Sequence, residues 1–195
     1  MVNGFANINK NVLIGIIAGI VVIVGTIAFT VLGSRNTSPV ENAPTTTATA
    51  DVRLVPVRAC ELLTLDEAKS LLGSNASESG NTNAITSGDI SVDTCSYINN
   101  ARAASDIRIV SLMARSALTD VGLESNLSAF DSNGTANPAN AKTITGYGDK
   151  AYWDPTTKQL AILQGNTWLS IVYGGTDPAK NTLDDAKRVA ELVVR

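Results

Sequence analysis

Histidine is absent from the sequence, and that omission removes most familiar hydrolytic chemistry. Neither a Ser-His-Asp nor a Cys-His site can be assembled, and the common zinc sets lose their usual nitrogen ligand. Cysteine is nearly absent: the 2 residues, Cys60 and Cys95, are too few for a thiolate metal site, so no metal is expected. Basic clusters are missing too. Lys and Arg number 15 against 18 Asp and Glu, for a net charge of -3, and they stand singly among acids without interleaved aromatics. Such a surface does not track a phosphate backbone, so no nucleic-acid partner is expected. Aromatic residues make up 5% of the chain, and Tyr147, Tyr152, Trp153, Trp168 and Tyr173 all fall late in it.

What the chain does have is a long apolar run. Val12 to Leu32 carries no charge and is rich in Ile and Val. As a helix rising about 1.5 Å per residue it reaches roughly 32 Å, which matches a hydrocarbon layer of about 30 Å. Residues 12–33 are therefore expected to form a transmembrane helix, with residues 1–11 as a short cytoplasmic N-terminus. A cleaved signal peptide is the alternative, but its apolar region spans about 7 to 15 residues and ends at a small-x-small site. The ending Thr30-Val31-Leu32-Gly33-Ser34 is similar to a bacterial lipobox with Ser34 in place of the lipidated cysteine, so lipidation there is excluded. A type IV pilin is excluded as well, because that family carries a glutamate close behind its processing glycine and the first acid here is Glu41. Gly15 and Gly19 have the small-xxx-small spacing that lets membrane helices approach, a weak signal for self-association.

Residues 34–53, rich in Ser, Thr, Ala, Asn and Pro around Pro44-Thr45-Thr46-Thr47-Ala48-Thr49-Ala50, read as a flexible linker that cannot bury enough apolar surface to order itself. Residues 54–195 read as one α+β domain with an antiparallel sheet flanked by helices. Thr64 and Glu67 form a capping box for a helix through Ala68, Leu71 and Leu72, with Gly73 as its terminator. Ser74 to Asp89 reads as a polar loop. Strands are expected at Val92–Ile98 and Ile107–Met113, followed by a helix over Thr119–Phe130 that Gly122 weakens and that the turn residues Asp131-Ser132-Asn133-Gly134 close. Further strands are expected at Lys142–Thr145, Lys150–Trp153, Gln159–Leu163 and Thr167–Tyr173. Asp154-Pro155-Thr156-Thr157 and Gly165-Asn166 suit hairpin turns between them, which makes the pairing antiparallel. A last helix follows Thr182 and Asp185, with Leu183, Ala186, Val189, Ala190 and Val193 on one face.

Cys60 falls just before the first of these helices and Cys95 inside the first expected strand. A disulfide between them would stabilise the fold by about 3 to 4 kcal/mol in the chain-entropy account; two buried thiols are the alternative. Lys10 on one side of the apolar run and Arg35, Arg53 and Arg58 on the other barely orient it. The cysteines tilt the balance to an oxidising compartment, hence a single-pass protein of the cell membrane with an extracytoplasmic C-terminal domain.

Taken in order, Ala59-Cys60-Glu61-Leu62-Leu63-Thr64, Glu67-Ala68, Leu71-Leu72-Gly73 and Cys95-Ser96-Tyr97 resemble a family of bacterial envelope lipoproteins of high-GC Gram-positive bacteria, which show a Cys-x-Leu-Leu-Thr start and a later Cys-x-Trp or Cys-x-Tyr. Gly146-Tyr147-Gly148-Asp149-Lys150-Ala151-Tyr152 is similar to their Gly-x-Gly-Asp-x-Ala turn. The resemblance spans most of residues 60–195 and implies an extracytoplasmic α+β domain with the helix-flanked antiparallel sheet of PsbP-like proteins. It brings no catalytic residues, and this chain departs from it in having a membrane helix where the family has a lipid anchor.

Other chemistry is thin. Asp149 and Asp154 bracket Tyr152 and Trp153 and form the one carboxylate pair considered for acid-base work, against the ordinary role of turn aspartates in binding backbone N–H groups. Gly146-Tyr147-Gly148-Asp149-Lys150-Ala151 mimics a dinucleotide fingerprint, but a strand and Asp154-Pro155 follow it rather than a helix, so no cofactor is expected. Asp131-Ser132-Asn133-Gly134 lacks the downstream glutamate of a calcium loop. Tyr147, Asp149, Tyr152, Trp153 and Trp168 form the candidate ligand face; the ordinary alternative is that these aromatics alternate between core and surface of the sheet. The expected function is a non-enzymatic binding or scaffold module that recognises an envelope component or a partner protein. The rivals are a small carboxylate enzyme and a ligand sensor acting through a membrane partner, since the few residues before the apolar run hold no output domain.

Overall fold

The computed structural model describes residues 54–80, 82–136, 141–177 and 181–194. The expected membrane helix over 12–33, its Gly15 and Gly19 pair and the linker over 34–53 lie outside the described residues. Among the described residues no helix is long and apolar enough to cross a membrane.

The domain begins with two short helices, α1 (Ala59–Leu62) and α2 (Leu65–Leu72). The expected capping box is formed: Glu67 N donates to Thr64 Oγ1 at 3.4 Å, and Thr64 N donates to Glu67 Oε2 at 2.8 Å. Two of the helix's free N–H groups are satisfied in this way. Gly73 ends α2, its N–H returning to the carbonyl of Lys69.

The strands then follow as β1 (Ala76–Glu78), β2 (Thr82–Ser87), β3 (Ile90–Asn99), β4 (Arg108–Ala117), β5 (Lys142–Ile144), β6 (Lys150–Asp154), β7 (Gln159–Gln164) and β8 (Thr167–Gly175). Helix α3 (Asp120–Ala136) separates β4 from β5, and α4 (Leu183–Val193) closes the domain. The strands form one 8-stranded antiparallel sheet in the order β1-β3-β4-β8-β7-β6-β5, with β2 also on β3. The α+β expectation and its antiparallel pairing hold, and the later strands fall where the turn residues place them.

Two expectations fail. The presumed loop from Ser74 to Asp89 contains β1 and β2, which pair with opposite ends of the outer edge of β3. Their exposed side chains, Thr86 and Ser87 among them, carry no periodic apolar signal. These segments are strands because the outer edge of β3 offers unpaired backbone groups. The turn expected at Asp131-Ser132-Asn133-Gly134 is instead the last part of α3. There Phe130 is wedged between Tyr152 and Trp168, with ring centroids 5.0 and 5.8 Å away. Asp131 is paired with Lys150 Nζ at 3.0 Å, and tertiary anchoring outweighs the local turn preference. Gly122 is in α3 for a reason other than flexibility: a Cβ there would lie 2.2 Å from the carbonyl oxygen of Asp89, so only glycine lets the first turn of the helix meet the β2–β3 turn.

The two sheet faces differ. One carries Val110, Leu112, Leu160, Ile162, Leu169 and Ile171 against α1, α2 and α4, whose contributions include Leu63, Ala68, Val189 and Val193. On this face three successive inward residues of β3 hold the α1 segment down. Asp93 Oδ2 accepts from Ala59 N at 3.3 Å and meets Arg58 Nε at 3.1 Å. Cys95 is disulfide-bonded to Cys60, with Cα atoms 5.1 Å apart. Tyr97 Oη donates to the carbonyl of Leu63 at 2.9 Å. The opposite face is covered at one end by α3 and holds a smaller cluster of Phe130, Tyr152, Ala161, Leu163 and Trp168.

Candidate functional site

A cavity of about 660 Å³ lies between the second half of α3, the edge strand β5 and the turn that leads into β6. That size falls within the range of small-molecule sites. Its floor is Phe130 and Tyr152, and Asp131, Thr143, Thr145 and Tyr147 supply polar groups around it.

The turn is built by its glycines. Gly146 and Gly148 have φ of 89° and 54°, and a Cβ on Gly148 would lie 2.4 Å from the carbonyl oxygen of Leu163. Glycine is needed there on both counts. Asp149 then ties the turn to the β7–β8 hairpin: its N–H donates to the Leu163 carbonyl at 2.7 Å, and its Oδ2 accepts from Gly165 N at 2.7 Å. The wall of the cavity is thus braced by one backbone bond and one to the Asp149 carboxylate.

Titration behaviour at the cavity follows burial. The Tyr152 phenol is pushed up to about 12 by burial, with a smaller contribution from Asp154. Tyr147 is raised by burial and by Glu191. Both hydroxyls therefore stay protonated at neutral pH and act as hydrogen-bonding groups.

Of the five aromatic and acidic residues of the candidate face, Tyr147, Asp149 and Tyr152 line the cavity, while Trp153 and Trp168 do not. Successive strand residues point to opposite faces, so Trp153, next to Tyr152 on β6, is buried in the main core. Trp168 sits behind Phe130 in the smaller cluster. The five residues do not form one face. Asp149 and Asp154 stand at opposite ends of β6, roughly 16 Å apart at about 3.3 Å per residue, and Asp154 Oδ1 accepts from Thr156 N at 2.7 Å in the next turn. They form no carboxylate pair. Cys60 and Cys95 lie on the other side of the sheet. Phe130, Asp131, Thr143 and Thr145 escape sequence reasoning because no motif joins α3 and β5 to the turn; only the fold does.

A second polar cluster lies beneath α3. Arg115 of β4, 9% exposed, donates to Asn126 Oδ1 and, at 3.4 Å, to Ser125 Oγ. Burial lowers the pKa of its guanidinium. Asn126 is fully buried and its amide donates to the carbonyls of Arg115 and Asn166 at 2.8 and 3.0 Å.

No protein-family model, no curated protein and no solved structure matches this chain.

Proposed function

We propose that this chain is a membrane-anchored binding module of the bacterial cell envelope, holding its α+β domain outside the cytoplasm and taking a ligand in the cavity between α3, β5 and the Gly146–Lys150 turn. The cavity itself carries this reading. It joins an aromatic floor to a few convergent polar groups, the usual composition of a binding site, and its acidic members already have structural duties. Asp131 holds Lys150, and Asp149 holds the β7–β8 hairpin. The anchor is supported by the uncharged run from Val12 to Leu32, and the compartment by the Cys60–Cys95 disulfide. The resemblance to envelope lipoproteins agrees with the compartment.

A photo-crosslinking residue at Tyr147 tests the binding role in intact cells, with the same residue at exposed Thr157 as the control. The expected result is a discrete envelope adduct at Tyr147 that the control lacks. Equal labelling at both positions, or none at either, counts against the cavity as a binding site. Placement is tested separately by alkylating the chain in intact cells without reductant. Two freely alkylated thiols would contradict an extracytoplasmic domain.

A further inference from the structure

Arg115 and Trp168 are direct partners in the β4–β8 ladder, so their side chains rise side by side from the sheet face beneath α3. Both bear hydrogen-bond donors only. Among the described residues Arg115 has no carboxylate within ion-pair distance; its partners are the neutral Asn126 and Ser125. Its charge is thus largely withdrawn from water without a counter-charge, an expensive arrangement. Trp168 is 7% exposed, and its Nε1 is the fully buried side-chain polar atom without a hydrogen-bond partner among the described residues. One unpartnered donor thus stands beside a cation whose own partners are neutral. Asn126 is locked by its own backbone bonds and holds the guanidinium in place.

We propose that Arg115 and Trp168 form a second binding site, separate from the cavity, that takes the carboxylate of a ligand beneath α3. A carboxylate fits on two counts. Its single negative charge balances one guanidinium, and its two oxygens suit a planar N–H fork plus one further donor. A phosphate would bring more charge and further acceptor oxygens to a place with one cation.

A ligand would reach this site by local opening of α3, which would have to release Phe130 and the Asn126 hydrogen bonds. Helix α3 turns Gly122, Asn126 and Phe130 to the sheet and leaves Val121, Leu123 and Leu127 exposed by 66%, 37% and 41%. Phe130 is the one large apolar residue that α3 buries, so its packing is the main apolar contact opposing that opening.

The test uses the full-length chain, labelled with ¹⁵N and held in detergent micelles, where the 2 tryptophans give two indole N–H signals. Loss of one signal in Trp168→Phe assigns the other to Trp153. Acetate is titrated against chloride at constant ionic strength, with phosphate as a separate arm. The Trp168 signal is expected to move saturably with acetate while that of Trp153 stays still, and Arg115→Gln is expected to raise the half-saturation concentration at least ten-fold. No saturable movement with acetate, movement undiminished in Arg115→Gln, or a response to phosphate alone overturns the site. If Arg115→Gln loses its dispersed spectrum, Arg115→Lys decides, because it keeps the charge and loses the fork. A half-saturation raised at least three-fold sustains the proposal, and an unchanged one overturns it.

Discussion

The hydroxyl of Tyr97 donates to the carbonyl of Leu63 at 2.9 Å across 34 positions of sequence, one inward step along β3 from the cysteine that bonds Cys60. The contact joins the end of α1 to β3 inside the main core. Tyr97→Phe removes the donor and leaves a buried carbonyl unsatisfied, so it should cost about 1 to 3 kcal/mol. Urea unfolding of the variant should show a lower midpoint at unchanged slope; a midpoint within error of the native protein would show that the bond contributes nothing net.

Removal of the neighbouring disulfide should cost more. Cys60 and Cys95 are separated by 35 positions, and opening a loop of that size corresponds to about 3 to 4 kcal/mol in the chain-entropy account. Cys60→Ala with Cys95→Ala should show this loss by denaturant titration. Combined with Tyr97→Phe, the loss should be non-additive, because both contacts restrain the same α1 segment.

Gly148→Ala should destabilise by about 2 kcal/mol or more, since alanine meets both a φ of 54° and the Leu163 carbonyl. Gly165→Ala is the comparison: its φ is 55° but a Cβ there meets nothing within 4 Å, so strain alone should cost about 1 kcal/mol. Thermal unfolding of the two variants separates the contact from the backbone conformation, and equal losses would count against the close approach.

Stability should fall in alkali. Tyr97, Tyr147, Tyr152 and Tyr173 are all raised above the ordinary phenol value, first by burial in every case. As pH rises past about 10 the unfolded chain loses these protons before the folded one does, so the folded state binds more protons and stability declines. The contribution is complete below that pH and is lost as each folded-state value is passed, which for Tyr152 is about 12. Denaturant titrations at pH 8, 10 and 11 should show the decline, and Tyr152→Phe should make it shallower; a flat profile would contradict the burial argument.

Local chemistry was legible where it was also decisive. Thr64 and Glu67 cap α2 as their spacing requires, Thr182 accepts from Asp185 N at 3.2 Å at the start of α4, and the turn residues after Asp154 and Gln164 set the last hairpins. Signals failed where a partner distant in sequence overruled the local preference. Thr82 to Ser87 became a strand because β3 had an edge to fill, and Asp131 to Gly134 stayed helical because Phe130 and Lys150 anchor that turn.

The candidate site shows the same division. The candidate ligand face joins Tyr152 and Trp153, yet alternation along β6 turns them to opposite sides of the sheet, and which of them meets the cavity depends on which side α3 covers. The sequence by itself determined the elements that short-range hydrogen bonding and hydrophobic period control, together with the exclusion of histidine-based chemistry. Only the tertiary structure decided that Tyr147 and Asp149 would meet Phe130 and Asp131 around one cavity, and that Arg115 would stand beside Trp168, whose Nε1 has no acceptor among the described residues. Such juxtapositions come from long-range strand pairing and helix docking, whose energies are sums over many distant contacts and leave no local pattern to read.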